Sequence, residues 1–483
     1  MFDNNAIVMT FVIYLLVMLA LGVLAWRRTV DLSDYLLGGR KLGPAVTALS
    51  AGASDMSGWL LLGLPGYAYL AGFEAGWIAL GLVAGTYLNW RLVAPRLRIQ
   101  SEQLDNALTL ADYFERRFAD SSHVLRILSA GLVLLFFLFY TSSGLVAGGK
   151  LFNTVFGIDY HWAVLSGAVV IVSYTFLGGF LAVSWTDFVQ GMLMFCALLI
   201  VPVMAIVGLG GWSATTAAMA KVSPQLLDAY TGVDGKSLGL IAILSLLAWG
   251  LGYFGQPHIL ARFKAIRSSD ELPRARRIAM SWVSLCMLGA LLAGFSGIGM
   301  LDPALRGADS EKVFMQLIGL LLHPVVAGIC LAAILAAIMS TADSQLLVAS
   351  SALTRDLYKP FLRKQASDKE TVWVGRAGVV LIAMLATWLA MDPDSKVLEL
   401  VAYAWAGFGA AFGPALLLSL HWAGMTRSGA LAGMLTGGAT VIIWKQLEGG
   451  LFDAYELLPG FVFAFIMVVI VSRLTGKRDT AII

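Results

Sequence analysis

The chain has 483 residues, of which 59% are hydrophobic and only 63 carry a charge. A charged share of 13% is about half the roughly 25% of a soluble domain. With a mean hydropathy of +0.81, this marks an integral membrane protein and excludes a secreted, nuclear or cytosolic enzyme. A net charge of +3 is too small to imply a nucleic-acid partner.

Apolar stretches of about 20 residues cross the hydrocarbon core as helices. In chain order they predict thirteen spans: 6–26, 44–66, 73–94, 127–149, 161–180, 187–210, 238–258, 278–300, 313–346, 372–391, 397–422, 428–446 and 457–474. No basic segment precedes the first, so it reads as a retained helix and not a cleaved signal. With the N-terminus placed outside, alternate loops collect 26 of the 33 Lys and Arg on one side and seven on the other. The acids divide evenly, so the bias belongs to the cations. It predicts an N-terminus outside and a C-terminus inside. On this reading all cations lie in loops, and so do the histidines or at span edges. Cys196, Cys286 and Cys330 sit in apolar runs without disulfide or metal-ligand spacing.

The second span reads Gly52-Ala53-Ser54-Asp55-Met56-Ser57-Gly58. A carboxylate at that depth costs roughly 2.5–3.5 kcal/mol on insertion scales, and its small neighbours permit unwinding. Asp55 therefore reads as a functional group. The competing reading is a cap on an interhelical hydrogen-bond network. The seventh span carries Trp249 to Pro257, with Gly250, Gly252 and Gly255 in a G-x-G-x-x-G spacing. No strand precedes them, so this is no dinucleotide site; three glycines and a proline instead break the helix. The two broken spans lie five apart, an odd number, which sets spans 2–6 and 7–11 in opposite directions. Interrupted helices at matching places of two inverted halves point to a secondary transporter.

In the ninth span Ser340, Asp343 and Ser344 share one helix face, with Ala337 one turn before. Hydroxyls, carbonyls and a carboxylate suit a small hard cation. The competing reading has Ser340 and Thr341 bonding carbonyls one turn back, Thr341 that of Ala337. Trp249 and Tyr253, four apart, are expected to face the same way beside the second break. Tyr140, ahead of Thr141, Ser142 and Ser143, is a polar-tipped aromatic inside span four.

These residues resemble the sodium:solute symporter family, nearly end to end. The similarity includes residues 48–66, 174–190, 249–263, 336–359 and 402–414, with Gly178 to Phe180 and Arg427 to Gly437 like the family's two short signatures. The resemblance implies an all-α LeuT-type fold of inverted five-helix repeats, 44–210 and 238–422, preceded by helix 6–26 and followed by two helices over 428–474. It implies Na⁺ as coupling ion and uptake across a bacterial cytoplasmic (inner) membrane. The strings ASDMSGW and GYFGQPHILARF favour L-proline over sugars, pantothenate or iodide. Position by position, the sodium site falls on Ala53, Met56 and Ala337 (carbonyls) and on Ser340 and Thr341 (hydroxyls), with Asp55 the sodium-critical carboxylate. Substrate contacts fall on Ser57, Gly58, Tyr140, Trp249, Tyr253 and Pro257. Asp343, absent from the usual pattern, together with Asp187, Ser340 and Ser344 suggests a second cation site. Partners are then the solute and membrane lipid; no obligate protein partner is implied. The alternatives are proton coupling, or another small solute on the same fold.

Overall fold

The computed structural model describes residues 4–26, 37–175 and 179–476; Arg27, Arg28, Gly178, Lys477 and Arg478 lie outside this set. Among the described residues every regular element is helical. The first is α1 (Asn4–Trp26). It is followed by α2 (Pro44–Asp55), a π turn at Trp59–Gly63 and α3 (Leu64–Ala71). Next come α4 (Gly76–Leu88), α5 (Ala94–Gln103) and α6 (Leu110–Arg117). Then follow α7 (Val124–Phe156), α8 (Tyr160–Thr175), α9 (Phe180–Gly208) and α10 (Trp212–Val222). The second broken span comprises α11 (Leu240–Leu247), a 3₁₀ stretch Ala248–Gly255 and α12 (Pro257–Ala265). After it come α13 (Leu272–Met300), α14 (Val313–Leu321) and α15 (Pro324–Ser351), which continues as a π helix to Leu362. The chain ends with α16 (Asp368–Leu389), α17 (Val397–His421), α18 (Arg427–Trp444) and α19 (Leu457–Thr475).

Nine of these helical stretches are long and apolar enough to cross a membrane, or ten with the pair bent by 48° around Gln256. Several expected spans take different bounds; the fourth, sixth and eighth become Val124–Phe156, Phe180–Gly208 and Leu272–Met300. The ninth, expected over 313–346, is divided at Leu322–His323, whose backbone is extended. Pro324 then starts α15 afresh, as proline does at the first helical turn. The third runs on through Arg91, Arg96 and Arg98 to Gln103, so these cations lie on helix and not in a loop.

The packing has an exchange symmetry. Helix α2 packs on α9 and α13; the Ala248–Gly255 segment packs on α17 and α4. Helix α7 packs on α8, α15, α16 and α17, while α15 packs on α16, α7, α8 and α9. Moving every span five places along the chain maps one set of neighbours onto the other. Small residues permit the tightest of these approaches. A Cβ at Gly250 or Gly85 would collide with the other helix's backbone, as in close-packed transmembrane pairs. In the α15 stretch 83% of the residues are buried, against 28% in α1, so α15 is the central pillar and α1 a peripheral, lipid-facing one.

Not all cations stay in loops. Arg262 and Lys264 are buried on α12, and Lys150 on α7 pairs with Glu311 at 2.5 Å. Glu311 also accepts from the backbone N–H of Val397 and Leu398 at 3.0 and 3.1 Å, so it caps α17. His258, expected at a span edge, is fully buried instead. The cause is the break: α12 begins inside the bilayer and carries its polar residues with it.

Candidate functional site: a broken helix facing the central pillar

Helix α2 ends because Ser57 and Gly58 follow Asp55 where a further turn is needed. The last α-type bond runs from Met56 N to Gly52 O, at 2.8 Å. Met56 then takes φ −82°, ψ 77°, which turns its carbonyl off the helix axis and leaves polar backbone at membrane depth. Gly58 has no room for a side chain: a Cβ there would lie 2.6 Å from that of Ala147 and 3.3 Å from Ile338. The break is thereby pressed between α7 and α15.

The α15 hydroxyls meet the end of α2. Ser340 Oγ donates to Ala53 O at 2.8 Å and lies 3.1 Å from Ala337 O; Thr341 Oγ1 donates to Ala53 O at 3.2 Å. Back-bonding within α15 is therefore only part of the picture: for Thr341 the hydroxyl reaches across to α2. Ala53, Ala337, Ser340 and Thr341 converge within hydrogen-bond reach, all buried. Two carbonyls and two hydroxyls thus form a cage of oxygens, the donor type that a small hard cation prefers.

Asp55 does not join that cage with its side chain. Its Oδ2 accepts from Tyr253 Oη at 2.8 Å, while Oδ1 is buried without a hydrogen-bond partner. Its backbone carbonyl accepts from Tyr140 Oη and from the Trp59 indole, each at 3.0 Å. Asp55, two residues from Ala53, thus sets a carboxyl group near the cage, and its side chain and backbone carbonyl together tie spans two, four and seven. Trp59 is a partner the sequence reading omitted.

The expected substrate residues fall into two groups. Ser57, Gly58, Tyr140 and Tyr253 gather around Asp55. Trp249 points elsewhere: its ring stacks on Tyr455 (centroids 5.3 Å, 23°), and its carbonyl accepts from Trp405 Nε1 at 2.7 Å. Tyr253 instead meets Trp405 edge-on at 4.9 Å. The expected shared face of Trp249 and Tyr253 is lost because Ala248–Gly255 is 3₁₀. With three residues per turn, positions four apart point in different directions. Pro257 starts α12 and lines a different cavity, with Ala261, Lys264 and Asp356.

Asp187, Asp343 and Ser344 do come together, around a residue the sequence reading placed in a loop. Arg262 donates to Asp187 Oδ2 at 3.1 Å, Ser344 Oγ at 2.5 Å, Ser50 Oγ at 3.1 Å and His258 O at 3.0 Å. Its guanidinium also lies 5.0 Å over the Phe180 ring. Ser344 Oγ lies 3.4 Å from Asp343 Oδ1, and Ser50 Oγ donates to Asp187 Oδ2 at 2.6 Å. Ser340, assigned to both cation sites, turns to Ala53 instead. The available signal was the length of span seven: a break at mid-membrane leaves the next helix, and hence Arg262, inside.

Comparison with known proteins agrees with this architecture. The profile of the sodium:solute symporter family matches residues 35–437. The sodium/proline symporters of Salmonella typhimurium and Escherichia coli (strain K12) are 55% and 53% identical, each over 99% of this chain and 95% of the relative. The high-affinity proline transporter PutP of Bacillus subtilis is 50% identical over 96% of this chain and 97% of its own. Among solved structures, a Na⁺-coupled sialic acid symporter in a substrate-bound outward-open state superposes with a TM-score of 0.79 at 18% identity. That match covers 97% of this chain and 98% of the other. MhsT in complex with L-phenylalanine superposes at 0.52 with 15% identity, over 89% and 98%. The fold is the LeuT type.

Proposed function

Because the chain belongs to the sodium:solute symporter family, we propose that it is a carrier, not an enzyme, and couples Na⁺ entry to L-proline uptake across a bacterial inner membrane. The observation that carries this is the cage of Ala53 O, Ala337 O, Ser340 Oγ and Thr341 Oγ1 at the break of span two. It supplies uncharged oxygens, while Asp55 sets an ionisable carboxyl group nearby. Met56 adds a carbonyl turned off the helix.

Na⁺ entering from outside replaces the hydroxyl protons as the partner of the Ala53 carbonyl, and so clamps α2 to α15. The clamp holds the Met56–Gly58 turn in a shape that presents backbone amides to the solute carboxylate. Tyr140 and Tyr253 wall the pyrrolidine ring, with Trp249 on the far side and Pro257 toward the inside. Asp187, Asp343 and Ser344 form a second cationic position, held in this conformation by Arg262. The two five-helix repeats, 44–210 and 238–422, rock against each other to release ion and solute inward; the exchange symmetry of the packing supports that division. Thirteen spans with the C-terminus inside complete the topology, on the strength of the cation asymmetry.

One ion suffices energetically. A charge falling through 100 mV contributes about 2.3 kcal/mol, and a tenfold Na⁺ gradient about 1.4 kcal/mol. Together they sustain an accumulation of roughly several hundredfold. The test is L-proline uptake into proteoliposomes under an imposed gradient of Na⁺, of Li⁺, or of pH alone. Uptake that depends on Na⁺ is expected; equal uptake under a pH gradient alone rejects sodium coupling.

A further inference from the structure

A cavity separate from the oxygen cage lies between α12 and the inner end of α15. On α12 its wall is Pro257, Ala261 and Lys264, spaced i, i+4 and i+7 along one helix face. Ser351 and, on the π-helical continuation of α15, Asp356 also line it, as does Thr109, which caps α6. From Pro257 to Lys264 a helix advances about 10 Å. The cavity therefore runs from the inner edge of the proposed solute site toward the cation-rich face.

Two of its lining residues, Lys264 and Asp356, are a base and an acid, and each is only 2% exposed. Burying charge is costly and marks a functional position within a membrane protein. Neither group is fully engaged by its contacts. Lys264 Nζ donates to Leu108 O at 2.5 Å, which uses one of three hydrogens. Asp356 accepts through Oδ1 from Thr109 Oγ1 at 2.9 Å and Arg126 Nη1 at 3.2 Å. The rest of the wall is mainly apolar.

We propose that this cavity is an inner subsite for the zwitterionic amino acid, where Lys264 meets its carboxylate, Asp356 its secondary ammonium group and the apolar wall its ring before release. The proposal rests on the solute reading above. A zwitterion leaving the desolvated central site otherwise crosses an apolar passage with its charges unpaired; a pair of complementary charges part-way offsets that cost.

The experiment uses the full-length carrier with Cys196, Cys286 and Cys330 replaced and Ala261→Cys introduced. Inverted vesicles receive a membrane-impermeant thiol reagent on the cytoplasmic face. Expected is labelling that L-proline on that face slows by about fivefold or more. In the same vesicles Asp356→Asn removes the protection and raises the inner-face KM for proline by about tenfold, the scale of one charge-assisted hydrogen bond. Na⁺-dependent proline affinity at the outer face shifts by less than about twofold, and Asp356→Glu restores the inner KM. In Asp356→Asn, Arg126 retains Asp112 at 2.5 Å and Glu115 at 2.6 Å. Labelling that proline leaves unaltered, or an Asp356→Asn change equal at both faces, overturns the subsite. Ser351→Cys repeats the test should Ala261→Cys be inactive. Absence of any proline uptake by the parent carrier would instead defeat the solute reading itself.

Discussion

In span two the helix stops at Asp55 and resumes at Trp59 through Met56, Ser57 and Gly58; in span seven it tightens over Ala248–Gly255 and restarts at Pro257. The first break turns carbonyls toward the Ser340 and Thr341 hydroxyls and carries a carboxylate. The second carries rings: Trp249 against Tyr455, and Tyr253 against Trp405. A hydrogen bond joins them, from Tyr253 Oη to Asp55 Oδ2 at 2.8 Å. Under the proposed function the two breaks would then serve different ligands, the ion at one and the apolar body of the solute at the other.

The harshest way to break this comparison is Asp55→Ala. It removes the buried carboxyl group near the cage and the acceptor that joins the two breaks. Na⁺-driven proline uptake is expected to fall by about a hundredfold or more, the scale of losing a buried, hydrogen-bonded charge. Flux measured in proteoliposomes under a fixed Na⁺ gradient checks this; near-normal flux would detach the carboxylate from ion coupling. Next in size is Ser340→Ala, which removes a ligand within reach of both Ala53 and Ala337 carbonyls. The Na⁺ concentration for half-maximal proline binding should rise about tenfold or more, and less for Thr341→Ala, whose hydroxyl touches only the Ala53 carbonyl, at 3.2 Å. Proline affinity at saturating Na⁺ should stay close to that of the parent. Trp249→Ala is the mirror image: it opens a gap against Tyr455 and should weaken proline binding by about tenfold while the half-maximal Na⁺ concentration stays put. A variant at either break that shifts both quantities alike would merge the two sites into one.

Both breaks were legible because each departs from what a membrane helix tolerates: a carboxylate among small residues in one, three glycines and a proline in the other. The hydroxyls of Ser340 and Thr341 were legible as a cluster, and the family resemblance paired them with Ala53. Two things were not. Helix type decides direction, and nothing in the pattern of Trp249 to Gly255 announces 3₁₀ rather than α, so the shared face of Trp249 and Tyr253 was misjudged. Depth was the other. Arg262 looks like the first of a basic loop series when span seven is drawn as one straight helix ending at residue 258. Restarting the helix at Pro257 carries it inward, and it becomes the cation that Asp187 and Ser344 share. The lesson is positional: side-chain chemistry reads well from residue type, but the depth of a residue beyond a break depends on where the break restarts.

The smallest expected effect concerns the network of charges around α6. Asp112 is buried, which alone pushes its carboxyl up, yet Arg355, Arg126 and Arg116 outweigh burial and hold it down at about 2. Glu115 is likewise held below the usual range, against its burial, by Arg126 and His123. A carboxylate depressed in the folded state stabilises that state fully above its unfolded value of about 3.9. The contribution fades only as pH falls through the folded value, here toward 2. Between about pH 5 and 8 Asp112 therefore stays charged and silent, and proline uptake by Asp112→Asn should follow a pH profile of the same shape as the parent's, whatever its absolute rate. Uptake rates from proteoliposomes buffered equally on both sides provide the check. A slope present in the parent and lost in Asp112→Asn would show that proton chemistry at this network contributes to the cycle. The division of labour would then no longer lie between the two breaks alone.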